Sequence, residues 1–202
     1  MGCDIHVHVE YKRSDRWMCG DYFRLNPHHG RIDGEEKYTL VGFCDKRNYN
    51  LFATLADVRN YGETDYIADP RGLPSDVTEE VRSDYDCWGD DGHSHSYFTL
   101  KELIDWHNEG HRMKYSGMIS REAAEKLDKH GEAPESWCQW TSIPGWVRRE
   151  WSEENTVLVP LIEALKIRAN ELYLIYSWMW ERDYAKAYEQ SENIRIVFWF
   201  DN

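Results

Sequence analysis

An α+β fold, with the N- and C-terminal strands in one mixed or antiparallel sheet and a helical layer against it, follows from three stretches. "DIHVHVE" (4–10) alternates Ile5, Val7 and Val9 with Asp4, His6, His8 and Glu10, the period-two pattern of a strand with one apolar and one polar face. "NIRIVFWF" (193–200) is almost continuously apolar, as expected of a central strand covered on both faces. Thr99-x-x-Glu102 is a capping box, and Leu100, Leu103, Ile104 and Trp106 behind it have helical spacing.

The other elements follow in chain order. "RWMCGDYFRL" (16–25) turns at Gly20-Asp21 and predicts a hairpin; Pro27, Gly30 and Gly34 mark 26–36 as a loop; "KYTLVGFC" (37–44) is β-rich. Leu51, Phe52, Leu55 and Val58 predict a short helix over 48–58. The polar Gly/Pro segment 59–76 is long for an internal connection, a length often tied to function. Ser75 is placed to cap a helix over 76–85, and 86–96 is a polar loop. Gly110 ends the helix begun at Thr99. Ser120 caps a further helix, closed by Gly131. An aromatic loop (132–146) precedes one long or two broken helices from Asn155 to Tyr188, with Pro160 tolerable in the first turn. No repeat or linker interrupts the chain, so 1–202 reads as one domain, with 110–190 a candidate helical subdomain.

Composition narrows the function. The chain has 202 residues, enough for a core without staples, and ten tryptophans argue against disorder. With 24 basic against 37 acidic residues the net charge is −13, which disfavours binding to bulk nucleic acid. A small anionic ligand held by local arginines stays compatible with that charge. Cys3, Cys19, Cys44, Cys87 and Cys138 form no C-x-x-C pair, so neither a zinc ribbon nor a thioredoxin-type site is encoded, and free buried thiols in a reducing cytoplasm are expected. No secretory signal is visible, and "ELYLIYSWMWERDY" is too short and too charged to span a bilayer, so a soluble, cytoplasmic protein is expected.

Three constellations carry candidate chemistry. On an extended strand, His6 and His8 lie about 6.6–6.8 Å apart on one face, close enough to converge on one ion, with Asp4 beside them. The plain alternative is a polar strand face with hydrogen-bonded histidines. Asp90-Asp91-Gly92-His93-Ser94-His95 repeats the H-x-H unit, so four of the nine histidines occur in two such units. If the first strand meets the 86–98 segment over a cleft, Asp4, His6, His8, His93 and His95 are candidate ligands of a divalent metal, Zn or Mn, and Asp91, His93 and His95 candidate catalytic groups. Metal-independent two-histidine phosphoesterases also set two histidine strands side by side, but "HVHV" and "HSHS" carry His where those motifs carry a hydroxyl. The third constellation, "KRNYNLFATLADVRN" (46–60), has an Arg-Asn pair at each end. Arg47, Asn48, Tyr49 and Arg59, with Arg71 from the following loop, could grip phosphates and base edges, and Asp57 could orient a guanidinium. Helix capping by Asn48 and an ordinary polar exit at Arg59-Asn60 are the alternative. His107/His111, His28-His29 and the tryptophans of "SWCQW" are weaker candidates, and no P-loop, G-x-G-x-x-G, G-x-S-x-G or H-E-x-x-H motif occurs.

The stretches "GCDIHVHVEYK", "RNYNLFATLADVRN", "RGLPSDV", "GHSHSYFTLKEL" and "RIVFWFDN" resemble a family of uncharacterised proteins encoded by bacteriophages and prophages. The resemblance covers the two ends and about the first half of the chain. It implies a small phage product working in the host cytoplasm, in nucleotide metabolism or evasion of host defence. The family motif carries Asp where this chain has Asn50, which implies that position 50 is not an essential carboxylate here.

The expected function is a metal-dependent hydrolase acting on a phosphodiester or nucleotide-like small molecule. A non-catalytic nucleotide sponge, a two-histidine phosphoesterase and a protein that binds a host protein through its acidic surface stand as alternatives. Homo-oligomers are compatible with the sequence.

Overall fold

The computed structural model describes residues 2–34, 36–44, 46–139, 141–174 and 190–201. They form an α+β domain around a four-stranded antiparallel sheet. Its strands are β1 (Asp4–Arg13), β2 (Arg16–Cys19), β5 (His93–Thr99) and β8 (Ile194–Asp201), in the order β2-β1-β8-β5. β8 lies between β1 and β5, and every residue from Ile194 to Phe200 is buried, as its apolar run predicts. Two ribbons complete the strands: β3 (Tyr22–Leu25) with β4 (Tyr38–Val41), and β6 (Arg112–Ser120) with β7 (Trp146–Glu154).

The main core lies on the sheet face carrying Ile5, Val7, Val9, Ile196, Phe198 and Phe200. Helices α1 (Tyr49–Ala56), α3 (Leu100–Asn108) and α5 (Val159–Leu174) cover it with Phe52, Leu55, Leu103, Leu161 and Leu165. Phe52 meets Phe200 edge-on at 5.1 Å. A smaller cluster covers the opposite face, where Val81 of α2 (Glu79–Asp86) joins Val197 and Trp199.

Local signals determine most helix ends. Asn48 Oδ1 accepts from the backbone N–H of Asn50 and Leu51 at 3.1 and 3.3 Å. The Thr99–Glu102 capping box is fully formed. Ser120 Oγ caps α4 (Arg121–His130) through Ala123, and left-handed Gly131 closes it.

Elsewhere the fold departs from expectation. The hairpin expected over 16–25 is absent: β2 pairs with β1, β3 pairs with β4, and Gly20-Asp21 carries the chain from the sheet to the ribbon. In place of a helical subdomain, residues 112–154 contain the nine-residue strands β6 and β7, with α4 packed on them through Ile119, Ala124 and Trp151. Gly117 makes that packing possible, since a Cβ there would lie 2.6 Å from the Trp137 ring and 2.8 Å from the Cys138 carbonyl oxygen. Trp137 and Trp151 are thus part of this small core, each packed on the other and on Tyr115. The helix expected from Asn155 is observed over Val159–Leu174; the stretch 175–188 lies outside the described residues.

The helix expected from Ser75 begins later, at Glu79, and its N-cap Thr78 makes no side-chain cap. Glu10 of β1 supplies the missing acceptor, taking the Thr78 N–H at 2.6 Å. All five cysteines are free, but only Cys3 is buried and Cys87 is exposed, so the expectation of uniformly buried thiols fails. Among the described residues no helix is long and apolar enough to cross a membrane.

Two substitutions measure the packing and capping. Phe52→Ala, at a fully buried position, should cost about 3–5 kcal/mol of unfolding free energy. Thr99→Ala should cost about 1 kcal/mol by removing the cap. Urea unfolding followed by tryptophan fluorescence reads both; equal losses would contradict the assigned roles.

Candidate functional site

The polar face of β1 is largely covered, and each of its four side chains has a partner. At the inner end, Glu10 is 0% and Arg195 4% exposed. Arg195 Nε donates to Glu10 at 2.6 Å, its Nη1 donates to Asp76 at 2.7 Å, and its guanidinium lies 3.9 Å from the Trp17 ring. A buried charge needs such compensation, because loss of hydration is otherwise costly. His8 comes next. Its Nδ1 is 2.8 Å from Asp21, and its Nε2 lies 3.2 Å from Asp84, an ionic contact without hydrogen-bond alignment. Burial works to lower the His8 pKa, but the two carboxylates outweigh it and raise the value to about 9. His8 is therefore an imidazolium at neutral pH, clamping β1 to the Gly20-Asp21 turn and to α2.

Toward the end of the sheet the face opens. His6 Nε2 is 3.4 Å from Asp201, and its ring lies 4.0 Å from Trp88 and 5.6 Å from Trp199. Asp4 accepts both Nε and Nη2 of Arg47, at 2.8 and 2.7 Å. That bond holds the Asp4 carboxyl below its usual range.

The second H-x-H unit is divided by a β-bulge. His93 is in register with Phe200 and Ser96 with Phe198, so Ser94 and His95 together oppose Trp199. His93 then lies on the core face, with its ring 6.0 Å from Phe200, while His95 lies on the other face, 5.3 Å from Tyr85. The expectation that His93 and His95 act together fails because a bulge shifts the phase of the pleat. Trp199 and Tyr85, edge-on at 5.3 Å, fill the space across β8. Because β8 also separates β1 from β5, the side-by-side strands of a two-histidine site are not formed.

The expected joint metal centre of Asp4, His6, His8, His93 and His95 is accordingly not assembled. Asp4 binds Arg47, His8 binds Asp21 and Asp84, and the bulge parts His93 from His95. Among the described residues no three His, Cys, Asp or Glu side chains gather as metal ligands. Asp91 is exposed at the end of a 3-10 turn, Gly89–Asp91.

Of the arginine constellation, Arg47 and Arg59 both lie at the sheet end, where each interacts with Cys3. Arg47 precedes α1, and Arg59 follows it with a left-handed backbone (φ 55°). Gly2 makes room for the Arg47 guanidinium, which a Cβ would approach within 2.5–2.8 Å. The Arg59 charge acts on both Cys3 and His93. The other members have local roles. Asn48 is the N-cap, and Tyr49 packs on Phe52 at 5.6 Å. Asp57 is a left-handed C-cap whose carboxylate accepts from Asn60 at 2.7 Å instead of orienting an arginine. Arg71 lies toward the far end of β5, where Nη1 donates to Glu102 at 2.6 Å, and so is separate from Arg47 and Arg59.

Asp201, absent from the expected set, joins the site together. Its Oδ1 accepts the Asp4 N–H at 3.1 Å, its Oδ2 faces His6, and its charge acts on His93. Antiparallel pairing of the two terminal strands was the signal that could have placed it beside Asp4. Burial and the Arg59 charge lower the His93 pKa, against an opposing effect of Asp201, and the ring stays neutral at pH 7. Burial raises the Cys3 pKa, so Cys3 stays a thiol. The sheet end thus carries His6, Asp201 and the Arg47–Asp4 pair on one face and His93, within reach of the Arg59 charge, on the other, groups suited to anion binding and proton transfer.

The chain matches no protein-family model, no curated protein and no solved structure.

The His8 clamp makes stability depend on pH. A pKa raised from 6.5 to about 9, at about 1.4 kcal/mol per unit, contributes about 3 kcal/mol. That contribution is fully present below pH 6.5 and is lost as pH rises through 9. Urea midpoints from pH 6 to 9.5 should fall for the wild type. In His8→Gln they should start lower and stay flat across the same window; a parallel fall in the variant would refute the clamp.

Proposed function

We propose that the protein is a hydrolase of a phosphodiester or nucleotide-like small molecule, working at the sheet end where β1, β8 and β5 meet. The observation that carries this reading is the position of Asp201, whose Oδ2 faces His6 Nε2 at 3.4 Å and whose Oδ1 accepts the Asp4 N–H beside the Arg47 fork. A carboxylate behind an imidazole orients the ring, as general acid–base chemistry requires. His6 keeps 21% of its side chain exposed, enough to reach a bound molecule. The Arg47 fork now grips the half-exposed Asp4, and a phosphate of similar shape and charge can compete for it.

The Zn or Mn ion expected from the sequence has no part in the reading, because its donors do not meet, and no step is routed through a metal. With a net charge of −13, local guanidiniums rather than the overall field must attract the ligand. Resemblance to phage proteins favours a host signalling nucleotide as the substrate class and the host cytoplasm as the place of action.

A panel of cyclic and linear nucleotides, with and without a chelator, tests the proposal. Turnover is expected, with kcat lowered about 10²–10⁴-fold in His6→Ala and KM raised in Arg47→Ala. Stoichiometric, reversible capture without turnover would make the protein a nucleotide sponge. Turnover abolished by the chelator and restored by Mn or Zn would return the metal to the mechanism.

A further inference from the structure

Ser94 adopts a backbone that serine seldom visits. Its φ is 50°, and it forms the bulge of β5 opposite Trp199. Neighbouring side chains on a regular strand point to opposite faces, so a hydroxyl cannot reach the preceding ring. The bulge reverses this relation, and Ser94 Oγ lies 3.0 Å from Nδ1 of His93. The other ring nitrogen, Nε2, is buried with no hydrogen-bond partner among the described residues. When the hydroxyl donates to Nδ1, the neutral ring carries its proton on Nε2. Burial and the Arg59 charge keep the ring neutral and so able to accept a proton, Asp201 works in favour of the imidazolium that uptake would create, and Arg59 brings a guanidinium for phosphoryl oxygens.

We propose that Ser94 is the nucleophile of a covalent phosphoryl-transfer step, with His93 as its base. The proposal rests on this sheet end being a phosphate-ester site and adds a covalent intermediate. Ser94 Oγ forms a bond to phosphorus as the bond from phosphorus to the leaving alcohol breaks. The serine proton passes to Nδ1 of His93, and the imidazolium so formed gives a proton to the leaving alkoxide. Water then attacks the phosphoserine, losing a proton to Nδ1 of His93. The Oγ–P bond breaks, Ser94 recovers its proton from His93, and a phosphate monoester leaves. No oxidation or reduction is involved.

Diisopropyl fluorophosphate tests the nucleophile without knowledge of the natural substrate, because its P–F bond breaks as Oγ–P forms. Intact-mass and peptide mass spectrometry should locate one adduct on Ser94. The adduct should be lost in Ser94→Gly, which suits the positive φ and should retain the wild-type melting temperature. In His93→Gln, labelling should slow about 10²-fold. No adduct, an adduct that persists in Ser94→Gly, or wild-type labelling of His93→Gln would overturn the proposal. Labelling at Ser94 without nucleotide turnover would support the nucleophile and remove only the substrate class. Nucleotide turnover that persists in Ser94→Gly would remove the nucleophile and leave the hydrolase standing.

Discussion

The register between β1 and β8 is the constraint on which the rest of the structure depends. It sets Asp4 opposite Asp201, His6 opposite Trp199 and Glu10 opposite Arg195. Side chains alternate with a period of two, so a slip of one residue would turn each of these groups to the other face. Asp201 would leave His6, and Arg195 would enter an apolar core without Glu10. Chain ends far apart in sequence become neighbours in space because burial of Ile5, Val7 and Val9 with Phe198 and Phe200 favours only one phase.

The opposite face shows how a sheet can be covered without being apolar. Val197 and Trp199 fill its centre, while Glu10 and His8 carry charge at buried positions. Partners for those charges come from segments that the sequence marks only as polar connections: Asp21, Asp76 and the N-terminal end of α2. Glu10 makes two such contacts, pairing with Arg195 of β8 and capping α2 from outside the helix. Removal of one partner would leave another buried charge uncompensated, so these contacts act as a unit.

A single irregularity gives the sheet end its chemistry. Without the bulge, His93 and His95 would share a face and the Ser94 hydroxyl would point away from both. With it, His95 joins Tyr85, and His93 gains a hydroxyl neighbour near Asp201 and Arg59. Left-handed backbone at Ser94 and at Arg59 is the conformational cost of this arrangement, and such costs concentrate at functional sites.

Signals contained in a few neighbouring residues were legible in the sequence alone. Alternation in β1, the apolar run of β8, the Asn48 cap, the Thr99–Glu102 box and the Ser120 and Gly131 ends all depend on contacts within a turn or a strand. The histidines, Arg47 and Arg59 were legible as chemistry-bearing residues, but their partners were not. The alternation of β2 and β3 suits a hairpin, yet each strand found another partner, because pairing depends on which apolar faces meet in space. Helix α2 started three residues past Asp76, since an acceptor from β1 replaced a local cap. Sequence by itself determined the terminal strands and the capped helices, and which residues bear charge, but not the β6–β7 ribbon that stands where helix was expected. Tertiary structure alone decided that Asp201 stands beside His6, that Arg71 stays apart and that a bulge divides His93 from His95, because these follow from long-range strand register, which no local pattern encodes.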